Sequence, residues 1–127
     1  MKKNILLIFT LFFLYSNLYS QWENYNSDNV AQITSDQVRT VVVDDAGVTW
    51  FGTADGLISY DGQFWTRWSI EENSPADNSI NQLQYLSGEN ALWIATDNGS
   101  SKAGLSEGFS IESSYTTDNS GIYDAMV

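Results

Sequence analysis

The sequence predicts an all-β fold in which four-stranded antiparallel sheets stack around an axis, and three observations carry that prediction. The first is a repeat. Trp50-Phe51-Gly52-Thr53-Ala54-Asp55-Gly56 returns forty-three residues later as Trp93-Ile94-Ala95-Thr96-Asp97-Asn98-Gly99, with the same order of aromatic, bulky apolar residue, small residue, Thr and Asp/Asn-Gly turn. A period in this range calls for a repeat architecture. The second is that no segment after residue 20 reads as an amphipathic helix; short β-branched and aromatic runs alternate instead with Gly-containing turns. The third is that the runs are apolar on both faces. Val41 and Val43 point one way and Val42 the other, and Trp50 alternates with Phe51. A sheet wetted on one side would carry polar residues at every second position, so these strands need a neighbouring sheet on each side.

Residues 1–20 begin with Met1-Lys2-Lys3, continue in an apolar run from Ile5 to Tyr15 and end in the polar Ser16-Asn17-Leu18-Tyr19-Ser20. That is the layout of a secretory signal peptide, and the run is shorter than the ~20 residues a bilayer span requires. Cleavage is expected before Gln21, after which no membrane insertion is expected in this segment. Trp22 to Tyr25 reads as a short aromatic strand. Val38 to Val43 is a strand closed by Asp44-Asp45-Ala46-Gly47, and Val48 to Thr53 is the next. Asp55-Gly56 supplies the positive-φ residue of a tight hairpin, Leu57 to Tyr60 is the third strand, and Asp61-Gly62 turns the chain into Gln63 to Trp68. The second copy opens at Ile80, forty-two residues after Val38: Ile80 to Leu86, Ala91 to Thr96, then the weaker Ser101 to Leu105 and Phe109 to Tyr115. A third copy opens at Ile122 and occupies 122–127, so the sequence is expected to be the front piece of a longer protein. Two sheets alone leave apolar faces uncovered, and such a piece is expected to fold poorly or to associate. Trp22 and Tyr25 precede Trp65 and Trp68 by forty-three residues each. Residues 22–25 therefore match the outermost strand of a sheet whose other three strands, in a closed ring, come from the last repeat.

Charge and composition narrow the chemistry. After residue 20 there are three basic and sixteen acidic residues, a net −13, and a field of that sign argues against nucleic acid and anionic membrane surfaces as partners. The sequence has no Cys and no His. Thiol catalysis, a Ser-His-Asp triad and the usual zinc sites are therefore excluded within it, as is a disulfide framework.

Val43-Asp44-Asp45-Ala46-Gly47, leading into Trp50-Phe51-Gly52-Thr53-x-x-Gly56-Leu57 and then Tyr60-Asp61-Gly62, resembles the two-component regulator propeller repeat. The resemblance covers about residues 22 to 127, strongly in the first copy and partially in the second. There Ser87-Gly88-Glu89-Asn90 stands where an Asp-x-x-Gly turn is usual, and Ser101-Lys102-Ala103-Gly104 lacks the Tyr-Asp-Gly. It implies a β-propeller of four-stranded antiparallel blades, with residues 38–68 and 80–115 as the first two. It also implies an exported protein, periplasmic or secreted, of the kind found in the sensor portions of hybrid two-component systems.

Four residues are candidates for ligand binding. Arg39 is one of the three basic residues after residue 20 and stands near the start of an innermost strand, at the end implied to face the ligand-binding rim. Asn81 is its equivalent in the second copy. The competing reading of Arg39 is a salt bridge to one of the many carboxylates. Trp65 and Trp68 stand on different faces of an outer strand, so one of them is expected to be partly exposed and able to stack on sugars, and edge-strand packing competes with that. Asp44 and Asp45 supply oxygen ligands suited to Ca²⁺, but no dense Asp-x-Asp-x-Asp run accompanies them, and no metal or cofactor is expected. The leading expectation is a non-enzymatic binding or sensor module for a polar ligand, a glycan or a protein. A carbohydrate-active enzyme with paired carboxylates and a secreted adhesion spacer are the alternatives.

Overall fold

A computed structural model describes residues 21–69 and 75–120. The expected signal peptide and the third copy at 122–127 lie outside the described residues. Eight strands form two four-stranded antiparallel meanders, the blades expected from the repeat. In the first, β1 (Val38–Val43), β2 (Thr49–Thr53), β3 (Gly56–Tyr60) and β4 (Trp65–Trp68) pair in sequence order. In the second, β5 (Ile80–Leu86), β6 (Ala91–Thr96), β7 (Gly99–Gly104) and β8 (Ser110–Tyr115) do the same.

The turns explain the motif residues. Thr53 Oγ1 donates to the Gly56 carbonyl (2.8 Å) and accepts from the Asp55 amide (3.1 Å). Thr96 does the same with Gly99 and Asn98, at 3.0 and 3.2 Å. The Thr of each repeat thus pins its own hairpin, and Gly56 and Gly99 take φ of +115° and +129°, a region closed to most L-residues. Asp61 Oδ1 accepts from the amides of Gln63 (2.8 Å) and Phe64 (2.7 Å), and these bonds hold its carboxyl below the ordinary value. The turn therefore runs through Phe64, and β4 starts at Trp65 rather than at Gln63. Between β5 and β6, the unusual Ser87-Gly88-Glu89-Asn90 is a 3₁₀ turn over Ser87–Glu89 in which Asn90, at φ 46°, takes the left-handed role that Gly47 fills in the first blade.

The two blades stack face to face. Strand registers put Thr40, Val42, Trp50, Gly52, Leu57, Ser59 and Trp68 on one face of the first blade, here the Trp50 face. It covers the face of the second blade that carries Ile80, Leu83, Leu92, Ile94 and Ala103, and these residues form one apolar core with Trp50 and Leu57. Gly52 lies where the blades approach most closely: a Cβ there would stand 2.5 Å from both Ile80 Cγ2 and Thr40 Cγ2. Asp44, 8% exposed, accepts from the Ala46 and Val48 amides and from the Trp50 indole (2.9 Å). It is thereby committed to the turn and the core.

Residues 22–25 join neither sheet, and no strand among the described residues forms a ladder with them. One expectation needs correction. The second blade is not apolar on both faces. Its far face, centred on Trp93, carries Gln82, Gln84, Ser100 and Lys102 at the repeat positions of Thr40, Val42, Leu57 and Ser59.

Candidate functional site

The first strand of each blade contains a β-bulge at the same repeat position. Val38 pairs with Thr53 and Thr40 with Gly52, leaving Arg39 unpaired; Ile80 pairs with Thr96 and Gln82 with Ala95, leaving Asn81 unpaired. A bulge re-aims the extra side chain out of the sheet's alternation, and here it brings the two candidates together. Arg39 Nη1 donates to Asn81 Oδ1 (2.9 Å), Ser79 Oγ (3.0 Å) and the Ile80 carbonyl (3.3 Å). Asn81 Nδ2 in turn donates to Asp97 Oδ1 (2.7 Å). The result is an exposed polar line, Arg39 to Asn81 to Asp97, crossing from one blade to the next beside the β6–β7 hairpin.

The electrostatics follow from the three cations after residue 20. Arg67 is paired with Asp55 at 3.4 Å, and Lys102 with Glu89 at 2.7 Å and Glu112 at 3.4 Å. Among the described residues Arg39 makes no ion pair, so the salt bridge that competed with a rim role is not what holds it. Its guanidinium is held by three neutral acceptors, all through Nη1, and the residue is exposed. Asp97 is held below the ordinary carboxylate value of 3.8, first by the Ser79 and Asn81 side chains and then by the Arg39 charge. A depressed folded value contributes stability above the unfolded value that is lost as pH falls through the folded one. An NMR titration of Asp97 is expected to show a midpoint below 3.8 that moves upward in Asn81→Ala, because one of the two leading hydrogen bonds is gone.

The aromatic candidates lie elsewhere and apart from each other. Trp65 and Trp68 occupy opposite faces of β4. Trp68 packs on Trp50 (6.2 Å) and Phe109 (4.5 Å) and donates to Ser59 Oγ, so it belongs to the joint between the blades. Trp65, half-buried, stacks on Tyr60 at 4.5 Å and meets Tyr25 at 5.1 Å on the open face. Among the described residues no group of three or more carboxylates is placed to hold a metal ion.

Ser79 and Asp97 are site residues that sequence reasoning missed, since both read as loop formers. The bulges show only in the structure, where Ile80 and Leu83 are both buried yet three residues apart, which one face of a regular strand of period two does not allow.

No family model matches the chain, and no curated protein matches it in sequence. In structure it is similar to the extracellular domain of a hybrid two-component system of B. thetaiotaomicron, with a TM-score of 0.60 and 22% identity. The chain shares that fold. The match covers 76% of this chain and 14% of the other, so the chain spans about one seventh of that neighbour's length. Among the described residues no helix is long and apolar enough to cross a membrane.

Proposed function

We propose that this chain is part of an exported, non-enzymatic β-propeller of the two-component regulator type, which recognises a polar ligand, a glycan or a protein, at the rim where Arg39, Asn81 and Asp97 meet. The observation that carries the reading is Arg39 itself: a fixed, exposed guanidinium without a carboxylate partner among the described residues, in a segment of net −13. Held by neutral acceptors rather than by a direct carboxylate contact, such a group is a ready donor for an incoming oxygen acceptor. Asn81 holds the donor in place, and Asp97 offers an acceptor beside it. Donor and acceptor side by side suit hydroxyl and amide groups, which do both. The likeness in fold to an extracellular sensor domain supports the same reading.

The test is a glycan and peptide array, followed by calorimetry on the strongest binder. Arg39→Ala is expected to weaken binding about tenfold or more, the range for losing a charged hydrogen bond. Asn81→Ala should weaken it less, by freeing the arginine. An array without binding would favour a spacer role, and polysaccharide turnover abolished by changing one carboxylate would favour an enzyme.

A further inference from the structure

We propose that Asn98 is a site of spontaneous covalent modification, in which the Gly99 amide displaces its side-chain nitrogen and leaves aspartate or isoaspartate, adding a negative charge to the rim beside Asp97. Attack of this kind needs an unhindered following residue and an unrestrained carboxamide. The hairpin between β6 and β7 supplies both. Gly99 is compulsory there, because it takes φ +129° and a Cβ would run into the Tyr115 carbonyl oxygen. The residue before it is therefore always followed by one with no side chain to block approach.

What holds the carboxamide sets Asn98 apart from other asparagines followed by a small residue. Asn26, before Ser27, accepts at Oδ1 from the Asp28 amide (3.0 Å). Asn119, before Ser120, is tied at both ends, accepting from the Thr116 amide (2.8 Å) and donating to the Ser114 carbonyl (3.0 Å). Asn98 is exposed, and its carboxamide has no hydrogen-bond partner among the described residues; its backbone amide alone is anchored, donating to Thr96 Oγ1 at 3.2 Å. The first blade's two Asp-Gly turns carry carboxylates, which as anions resist attack, and both are held. Asp55 pairs with Arg67 at 3.4 Å, and Asp61 accepts from the Gln63 and Phe64 amides.

The step needs no co-reactant but water. The Gly99 nitrogen bonds to Asn98 Cγ, the Cγ–Nδ2 bond breaks, and ammonia departs carrying the Gly99 amide proton. Water then opens the cyclic imide at one carbonyl or the other, giving aspartate or, with the chain rerouted through Cγ, isoaspartate. Its consequence follows from the repeat. Asp55 stands at this position in the first blade, where Arg67, the cross-strand partner of Ile58, pairs with it. The matching cross-strand pair in the second blade is Ser101 and Ser114, so a carboxylate at 98 finds no such cation. It adjoins Asp97 instead. A like charge there opposes ionisation of Asp97 and raises its pKa, and the line from Arg39 through Asn81 ends in two negative charges rather than one. The conversion stands on the hairpin alone; any effect on a ligand rests on the rim reading above.

The experiment incubates the folded full chain at mildly alkaline pH and follows each asparagine by peptide mapping with mass spectrometry, with released ammonia measured alongside. Asn98 is expected to convert at least about tenfold faster than Asn26 or Asn119. Asn98→Gln should abolish the product, since its longer side chain closes the ring far more slowly. Asn98→Asp, which places in the second blade the residue the first already carries, should keep the far-UV circular dichroism and move the NMR titration midpoint of Asp97 upward. Conversion confined to chain unfolded in urea, or equal rates at Asn26, Asn98 and Asn119, would overturn the proposal. An Asp97 midpoint unmoved in Asn98→Asp would overturn the charge coupling. Ligand binding lost in Arg39→Ala while Asn98 stays unconverted would overturn this proposal and leave the rim reading standing, whereas rapid conversion with no ligand on the array would do the reverse.

Discussion

Gly52→Ala is expected to destabilise the protein by about 1–3 kcal/mol, although alanine would stabilise an unstrained position by roughly 0.4–1 kcal/mol through the unfolded state. The backbone at Gly52 is not the obstacle, since no left-handed φ is required of it. The obstacle is space. The new Cβ would lie 2.5 Å from Thr40 Cγ2 on the adjoining strand and 2.5 Å from Ile80 Cγ2 on the next blade. Both neighbours are β-branched and stiff at χ1, so neither yields by rotating. The blades must separate, and every contact of the shared core, from Trp50 and Leu57 to Ile94, loosens with them. Gly52→Val, with two more methyl groups, is expected to cost more than Gly52→Ala. Urea denaturation followed by circular dichroism measures both. A double mutant separates overpacking from a backbone effect. Ile80→Ala alone should cost about 2–5 kcal/mol as a buried large-to-small change. Combined with Gly52→Ala, it should cost less than the sum, because the alanine removes the atom with which the new Cβ collides. Strict additivity would mean that the Gly52 defect does not arise at the joint.

How far the sequence disclosed this arrangement depends on whether a feature lives in side-chain pattern or in backbone register. Strands and turns were legible because each is written locally: Asp55-Gly56, Asp61-Gly62 and Asn98-Gly99 close hairpins through their own chemistry, and β1, β5 and β6 have the predicted bounds. The stacking of two four-stranded blades was legible too, because Val41, Val42, Trp50 and Phe51 leave no face of the first sheet for water. The polar far face of the second blade was misjudged by extending that pattern from the first copy, when Gln82, Gln84 and Lys102 were there to be read. The bulges belong to the other category. A one-residue slip at Arg39 and Asn81 changes no composition, yet it moves Val38 and Ile80 to the opposite face and turns the two polar residues toward each other. The equivalence of Arg39 and Asn81 was readable from the period; their hydrogen bond was not, because it depends on how closely one blade stands to the next.

Asp44→Asn is the second change with a large expected effect, about 1–3 kcal/mol of stability, and its isosteric character makes it informative. One carboxylate oxygen serves the turn, accepting from the amides of Ala46 and Val48; the other accepts from the Trp50 indole at 2.9 Å. Asparagine can keep the first role, since its single oxygen can accept both amides. Its nitrogen then faces the indole N–H, donor against donor, and an indole 4% exposed cannot turn to water for a substitute. The cost is that of a buried donor left unsatisfied. Asp44→Ala loses the turn bonds as well and is expected to cost more. Trp50→Phe removes the indole donor, so the penalty of Asp44→Asn should shrink in that background, a coupling that thermal or urea denaturation of the four proteins measures. An unchanged penalty would place the role of Asp44 in the turn alone. A reduced one shows that the Asp-x-x-Gly turn and the tryptophan six residues after its aspartate are a single device, in which the residue that bends the chain also pairs the one polar atom of the largest core side chain.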